Sequence, residues 1–237
     1  MRAAYDYGAD AVYAGSPRYS LRARNNEFAK LDVLEQGIKE AHERNKKFFL
    51  TVNTLPHNSK LKTFVSDMEP LIAMKPDALI MADPGLIMTV REKWPEMPIH
   101  LSVQANTTNY WGVKFWQNIG VERIILSREL SMEEIAEIRQ ECPDIELEVF
   151  IHGALCIAYS GRCLLSGYFN HRDPNQGTCT NSCRWDYKVH NATESDAGDA
   201  QLLQGFNFEK AQEEANQNFE GINGQKRHPY ADKVFLI

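Results

Sequence analysis

The sequence KFFLTVN, residues 47–53, is a short run of apolar and β-branched side chains. It follows an amphipathic segment, residues 31–44, whose leucine, isoleucine and alanine side chains recur on one helical face. A second strand-like run, DAVYAG at residues 10–15, precedes that segment. A strand, a helix and another strand in this order make a βαβ unit, which predicts parallel strands.

The same alternation recurs along the chain. Strand-like runs are predicted at residues 10–15, 47–53, 78–83, 99–106, 123–129 and 146–153. Because the six runs return every 20 to 37 residues or so with helices or loops between them, the sequence favours an α/β fold of the (β/α) TIM-barrel type. A doubly wound sheet is the alternative, but no G-x-G-x-x-G follows any strand to support its dinucleotide-binding form.

The two ends of the chain predict an incomplete barrel. Residues 1–8 resemble the end of a helix without a preceding strand, and the chain stops inside a strand-like run, DKVFLI. We therefore expect the first and last barrel strands to be missing from a partial barrel at residues 1–190. Residues 191–228 are expected to be a flexible acidic insertion or linker, since 191–225 hold seven acidic residues and one lysine. Residues 229–237 would begin a truncated strand.

Composition restricts the location and chemistry of the chain. Its 237 residues carry a formal net charge of −6, no basic and apolar leader, and no apolar run long enough to span a bilayer. We expect a cytoplasmic protein with no membrane association. In that reducing compartment, clustered cysteines more often bind metal or act in chemistry than form structural disulfides.

Polar residues recur where the predicted strands end. In a (β/α) barrel the working groups lie at the carboxyl ends of the strands and in the loops that follow. The polar residues expected on this rim are Asn53, Asp83, Gln104, Asn106, Arg128, Glu129 and His152. Each alone has a structural explanation, such as a turn, a cap or a surface ion pair. The functional interpretation depends on their repetition at the same position in successive units.

Four of the five cysteines lie close together in the sequence, directly after the sixth predicted strand: Cys156, Cys163, Cys179 and Cys183. They define a cysteine-rich segment, residues 152–187, which is the expected cluster-binding part of the barrel. Only the last two have the close spacing that is usual for a structural zinc site, so zinc is the second choice. A glycine-rich loop with four thiolates favours an iron-sulfur cluster, whose negative charge neighbouring arginines would offset. Buried, inert cysteines are the remaining alternative. Cys142 has no such neighbours and is expected to be structural.

The stretch EVFIHGALCIAYSGRCLLS, residues 148–166, resembles the signature of the collagenase-like peptidases, peptidase family U32. The stretches YGADAVYAG, RNNEF, PDALIMADPGLI and HLSVQAN are similar to the branch of that family that acts in tRNA hydroxylation. This resemblance, over about residues 1–190, implies oxygen-independent, prephenate-dependent conversion of the wobble uridine of tRNA to 5-hydroxyuridine. It also implies a 4Fe-4S cluster on four cysteines, with Cys183 the least certain ligand because the spacing differs among branches.

We assign roles on both grounds. His152, Glu129 and Asp83 are the candidate catalytic residues. Asn53, Gln104, Asn106 and Arg128 are expected to orient the substrate, and Arg22 and Arg24 to contact tRNA phosphates. Two alternatives are a peptidase, for which His152 is the only local base beside Cys156, and a non-catalytic iron-sulfur subunit that works with a protein partner.

Overall fold

A computed structural model describes residues 1–21, 23, 26–153, 156, 158–188, 192–194, 196 and 200–202. The chain divides into two compact units, Met1–Cys183 and Arg184–Ile237. The predicted truncated strand at 229–237 lies outside the described residues, as do Arg22 and Arg24.

The first unit is built on a six-stranded parallel sheet. The strands are β1 (Ala11–Gly15), β2 (Lys47–Val52), β3 (Ala78–Met81), β4 (Ile99–Leu101), β5 (Arg123–Ile125) and β6 (Glu146–Glu148). Each strand pairs with the next one in the sequence, in the order β1-β2-β3-β4-β5-β6. A doubly wound sheet reverses its strand order at a switch point, so this uninterrupted order rules that alternative out. The sheet is a half-barrel, and all six predicted strands are confirmed.

Helices alternate with the strands, and several of them bury apolar side chains against one face of the sheet. They are α1 (Arg2–Asp6), α2 (Leu31–Glu43), α3 (Asn58–Leu61), α4 (Phe64–Ala73), α5 (Pro84–Lys93), α6 (Tyr110–Asn118), α7 (Met132–Glu141) and α8 (Leu165–Asn170). In α2, Leu34, Ile38 and Ala41 face the main hydrophobic core, as the periodicity predicts. Helix α7 begins at the capping box formed by Ser131 and Glu134, which satisfies amide groups that a helix start leaves unpaired.

Side chains alternate between the two faces of the sheet. One set, including Phe48 and Leu50, packs under the helices in the main core. The opposite face carries a smaller apolar cluster in which Phe49 and Ile80 are buried. On this face His100 lies edge-on to the Phe49 ring, with centroids 4.7 Å apart. Arg123, the first residue of β5, forms ion pairs with Glu146 and Glu148, the first and last residues of β6.

The second unit is described only in part. It contains a short antiparallel hairpin of β7 (Ala192–Glu194) and β8 (Ala200–Leu202). This hairpin lies inside the segment 191–228, for which the sequence predicted only a flexible insertion. Of the helices in the described ranges, none has both the length and the apolar character that crossing a bilayer requires.

Candidate functional site

Asn53 joins two strand ends on the rim. Its side-chain oxygen accepts the backbone N–H of Leu21 at 3.2 Å, and its amide nitrogen donates to the Ser102 hydroxyl at 3.3 Å. Asn53 directly follows β2, Leu21 lies in the loop after β1, and Ser102 follows β4. The half-buried amide therefore fixes the relative positions of three loops.

Gln104 and Asn106 lie in the next loop along the rim. A single 3-10 turn, Val103–Ala105, begins at Ser102, whose hydroxyl accepts the Gln104 N–H. Asn106 ends that turn in the left-handed conformation, with φ of 51°, a region that asparagine tolerates better than most residues. Its amide donates to the Ser127 hydroxyl at 2.9 Å, just after β5. The side chains of Asn53 and Asn106 and the backbone of Gln104 thus link the loops after β1, β2, β4 and β5.

Asp83 has a clear structural role. Its carboxylate accepts the N–H of Leu86 at 2.9 Å and caps the amino end of α5, with Pro84 as the first helical residue. Aspartate before proline is favoured at such a helix start. Its proposed catalytic role stays a prediction. A variant that tests this role must keep the hydrogen bond that caps α5.

Arg128 and Glu129 point to different partners at the end of β5. The Arg128 guanidinium lies over the Phe150 ring, 4.2 Å from its centroid. The Glu129 carboxylate accepts the backbone N–H of Ser160 at 3.2 Å. Arg128 and Glu129 are therefore not an ion pair with each other, which was the simplest structural explanation for them. His152 is exposed at the end of the same region.

The cysteine-rich segment docks on this rim through two glycines. Gly161 and Gly177 both have left-handed backbones, with φ of 73° and 92°. A Cβ at Gly161 would lie 2.2 Å from the Gln104 carbonyl oxygen, and one at Gly177 would lie 2.7 Å from the Ser20 carbonyl oxygen. Only glycine permits this backbone approach in this conformation. The segment therefore touches the rim after β4 and after β1.

Hydrogen bonds hold the segment to the loop after β2. The Leu55 N–H donates to the Asn175 carbonyl at 3.1 Å, and the Gln176 amide donates to the Leu55 carbonyl. Lys60 donates to the Gln176 carbonyl at 3.2 Å. Burial lowers the pKa of Lys60, and the nearby charge of Arg18 lowers it further. The sequence analysis did not identify Lys60, because its contact with residue 176 joins distant parts of the chain.

The interior of the segment is polar. The Asn170 amide donates to the hydroxyls of Thr180 and Ser182, each at 3.1 Å, and Thr180 also bonds the Ser166 hydroxyl at 3.1 Å. Ser166 and Ser182 are both buried. Asn175 adds a bond to the Cys163 carbonyl at 3.2 Å. Hydrogen bonds, with little buried apolar surface, hold the segment together between Cys163 and Cys183.

The four cysteines of the segment are free thiols, with Cys156 and Cys179 exposed and Cys163 and Cys183 half-buried. Within the described residues, which include all four, no group of three or more histidine, cysteine or acidic side chains is placed to hold a metal ion. As placed, the thiols therefore do not make a ligand set for a cluster or for zinc, and their assignment as ligands stays a prediction. Cys142 is buried, donates to the Tyr110 carbonyl at 3.7 Å and has a pKa raised by burial. It is the structural residue that the sequence indicated.

A second polar network braces the loop after β1 against α4. The buried Tyr19 hydroxyl donates to Asp67 at 2.7 Å, and Thr63 and Arg18 each donate to the same carboxylate at 2.8 Å. Burial acts to raise the pKa of Asp67, but these donors outweigh it and the pKa is lowered. No local pattern in the sequence reveals this partner of Arg18, because Asp67 lies 49 residues further along the chain.

Comparison with known proteins gives the family. The model of Peptidase family U32 matches residues 1–223. The chain belongs to peptidase family U32. This U32 chain is 68% identical, over 198 residues, to tRNA hydroxylation protein P of Haemophilus influenzae, covering 84% of the chain and 43% of that protein. It is 67% identical over 198 residues to tRNA hydroxylation protein P of Escherichia coli, covering 84% of the chain and 44% of that protein.

Two further comparisons extend this result. The 23S rRNA 5-hydroxycytidine C2501 synthase of Escherichia coli is 36% identical over 188 residues, which cover 79% of this chain and 28% of that protein. A solved structure of a U32 peptidase matches with a TM-score of 0.50 at 16% identity, covering 60% of each chain, and it supports the fold alone. The U32 chain spans less than half the length of the curated relatives named here.

Proposed function

We propose that this chain is the half-barrel part of an enzyme that hydroxylates a base in tRNA. The observation that carries the proposal is the 68% identity over 198 residues with a tRNA hydroxylation protein. A more distant relative named for an rRNA hydroxycytidine product supports the same chemistry on a second kind of RNA. The proposal also places the protein in the cytoplasm, with tRNA as its macromolecular partner.

The finer reaction in the proposal is the conversion of the wobble uridine to 5-hydroxyuridine. It replaces a C–H bond of the base by C–OH, a two-electron oxidation whose oxygen atom and electron acceptor come from outside this chain. Prephenate is the proposed co-substrate, and molecular oxygen is not required. An iron-sulfur cluster, if the four cysteines gather to bind one, would supply electron transfer.

The rim residues supply the binding chemistry in this proposal. Asn53, Gln104 and Asn106 present amides, which can pair with the carbonyl and N–H groups of a pyrimidine edge. Glu129 is the proposed proton acceptor. It has a positioning task as well, since it already holds the Ser160 amide. His152 is exposed and is the second candidate for proton transfer.

A complementation experiment tests the proposal. Cells that lack the full-length protein would be supplied with the full-length wild type, with Cys156→Ala or with Cys142→Ala, and 5-hydroxyuridine in their tRNA would be measured by mass spectrometry. We expect the wild type and Cys142→Ala to restore the nucleoside and Cys156→Ala to fail. Full restoration by Cys156→Ala would contradict the role of the cysteine segment, and no restoration by the wild type would contradict the function itself.

Cofactor content is a separate measurement. Anaerobic purification followed by iron, sulfide and zinc analysis would distinguish the proposed 4Fe-4S cluster from zinc and from no metal. If iron is bound but the purified protein converts no uridine, the non-catalytic subunit becomes the better interpretation.

The family description makes a peptidase the second candidate. A cysteine nucleophile needs a base within hydrogen-bond reach, and in the described part of the chain no hydrogen bond joins His152 to Cys156. Digestion of casein or gelatin by the wild type, abolished in Cys156→Ala, would favour the peptidase.

A further inference from the structure

Two exposed aromatic rings, Phe150 and Tyr159, lie near the carboxyl ends of β5 and β6. Phe150 is 42% exposed and Tyr159 is 64% exposed. Arg128 stacks over the Phe150 ring at 4.2 Å, and its neighbour Glu129 holds the amide of Ser160, the residue after Tyr159. This bond brings Tyr159 to the same strand end as the Arg128–Phe150 pair. The segments that carry the two rings therefore both contact one loop, at the consecutive residues Arg128 and Glu129.

The same region carries two guanidinium groups that form no ion pair. The Arg162 N–H bonds the Tyr159 carbonyl at 3.0 Å in a tight turn, so that Arg162 stays next to Tyr159. Arg162 is exposed and Arg128 is half-buried. Among the ion pairs of the described residues, none involves Arg128 or Arg162. Exposed rings interleaved with free guanidinium groups are the combination that single-stranded nucleic acid requires.

A second exposed aromatic patch differs in its charge. On α6, Trp111 is 70% exposed and Phe115 is 54% exposed. The cation beside them, Lys114, is paired with Glu141 at 2.8 Å, so this patch presents no free positive charge. It has the rings without the phosphate-binding groups, and it serves as a matched control.

We infer that Arg128, Phe150, Tyr159 and Arg162, called here the Arg-aromatic surface, bind unpaired nucleotides of the RNA substrate. Bases stack on the two rings and on the Arg128 plane, and phosphates pair with the guanidinium groups. The inference rests on the proposed function, and it names the part of the rim that receives the unpaired loop of the tRNA.

Binding measurements on the 237-residue chain test the inference. The probes are a fluorescent anticodon stem-loop RNA and a fully paired duplex of the same base composition, each titrated by anisotropy at several salt concentrations. We expect the stem-loop to bind more tightly than the duplex. Tyr159→Leu should weaken stem-loop binding about tenfold, the loss of one stacked base, whereas Tyr159→Phe, which keeps the ring, should bind like the wild type. Trp111→Ala should also bind like the wild type.

The arginine variants report on phosphates. Arg162→Gln should reduce the slope of log affinity against log salt by about 0.7, the value for one phosphate contact to a single strand. Arg128→Lys keeps the charge but loses the planar stack, so it should weaken binding with little change of the salt slope. Circular dichroism of each variant checks that the fold is retained. If Tyr159→Leu unfolds, the salt slope of Arg162→Gln and the affinity of Arg128→Lys still test the surface.

Each other outcome overturns the inference. Equal binding of the stem-loop by the wild type and by Tyr159→Leu would place the RNA surface elsewhere and leave the proposed function intact. Equal affinity for stem-loop and duplex would exclude the stacking of unpaired bases. An unfolded peptide that displaces the bound RNA is a further possible outcome. If Tyr159→Leu then loses affinity for the peptide but keeps its affinity for the stem-loop, this is a peptide-binding surface. Absence of RNA binding by the wild type would overturn the inference as well. The proposed function would then be decided by the complementation result.

Discussion

Replacing His100 by phenylalanine should reduce the loss of unfolding free energy that accompanies a fall in pH from 7 to 4. His100 lies on the face of the sheet opposite the helices, is 5% exposed, and its Nδ1 has no hydrogen-bond partner. Burial lowers the pKa of the imidazole to about 4, and the positive charge of Arg123 acts in the same direction. The folded chain therefore keeps this ring neutral at pH values where an unfolded chain protonates it.

The sign and size of the effect follow from proton linkage. Between pH 6.5, the ordinary histidine value, and pH 4, the unfolded state binds a proton that the folded state does not, so unfolding becomes easier as the pH falls. The contribution is fully present above pH 6.5 and is lost by pH 4. Each tenfold change in proton affinity corresponds to about 1.4 kcal/mol, so the total loss is at most about 3 kcal/mol. Phenylalanine binds no proton, so the His100→Phe chain should not show this loss of stability.

Urea unfolding at several pH values between 7 and 4 measures this difference. We expect the free energy of unfolding of the wild type to fall by up to about 3 kcal/mol more than that of His100→Phe over this range. A constant difference caused by repacking around the new ring does not affect the comparison of slopes. His57→Gln, which removes an exposed imidazole, is the control and should behave like the wild type. Parallel profiles for the wild type and His100→Phe would refute the reasoning.

Three further changes test the rim and its supports. Gly161→Ala puts a methyl group against the Gln104 carbonyl at a left-handed position, so proteolysis within the cysteine-rich segment should accelerate at an unchanged Tm of the barrel. Unchanged cleavage would mean that the segment is not docked there. Asp83→Ala should cost about 1 kcal/mol of stability in urea through loss of the α5 cap, while Asp83→Ser should keep the cap. A loss of hydroxylation in Asp83→Ser would then report chemistry alone. Tyr19→Phe leaves the Asp67 carboxylate without its closest donor and should destabilise the chain by roughly 1–3 kcal/mol. A loss of unfolding free energy smaller than the lower end of that range would show that the network contributes little.

The strand starts were predictable because local sequence encodes them. All six observed strands begin within one residue of their predicted positions, since apolar and β-branched runs identify them without tertiary information. The ends of the later strands were placed too far along. The stretch 99–106, for example, is a strand only as far as Leu101 and then turns at Val103–Ala105. A polar residue at a strand end fits an extended strand or a capped turn equally well, and the partner that decides between them lies on another strand.

Prolines show the same dependence on context. Pro70 and Pro84 both predict the boundary of a helix, but Pro70 lies inside α4 and that prediction is wrong. Its cost of one helical hydrogen bond is offset because Phe64, Met68 and Leu71 are buried on the same helix. Tertiary burial therefore overrides a local signal that is correct at Pro84.

The rim was predictable as a location but not as a set of contacts. Fold logic places Asn53, Gln104 and Asn106 at one edge, and they do form a chain of contacts there. The docking of the cysteine segment depends on contacts such as Lys60 with Gln176, which are separated by more than a hundred residues and leave no local pattern. The sequence spacing of the four cysteines likewise says that they are near each other along the chain, and not how their side chains are oriented.

The hydrogen bonds within the cysteine-rich segment are weak enough for its thiols to move together and bind a metal. Its interior is held by hydrogen bonds among Asn170, Thr180, Ser166 and Ser182, each worth about 1 kcal/mol net. Thiolate sites for metals bind with apparent free energies of about 10–16 kcal/mol in small zinc domains. A group bound by the thiols would therefore outweigh the bonds that set the present arrangement, while the apolar core under the helices would be untouched. Metal binding should then slow proteolysis of this segment without raising the unfolding temperature of the barrel, and protection of both together would show that the thiols act on the whole fold.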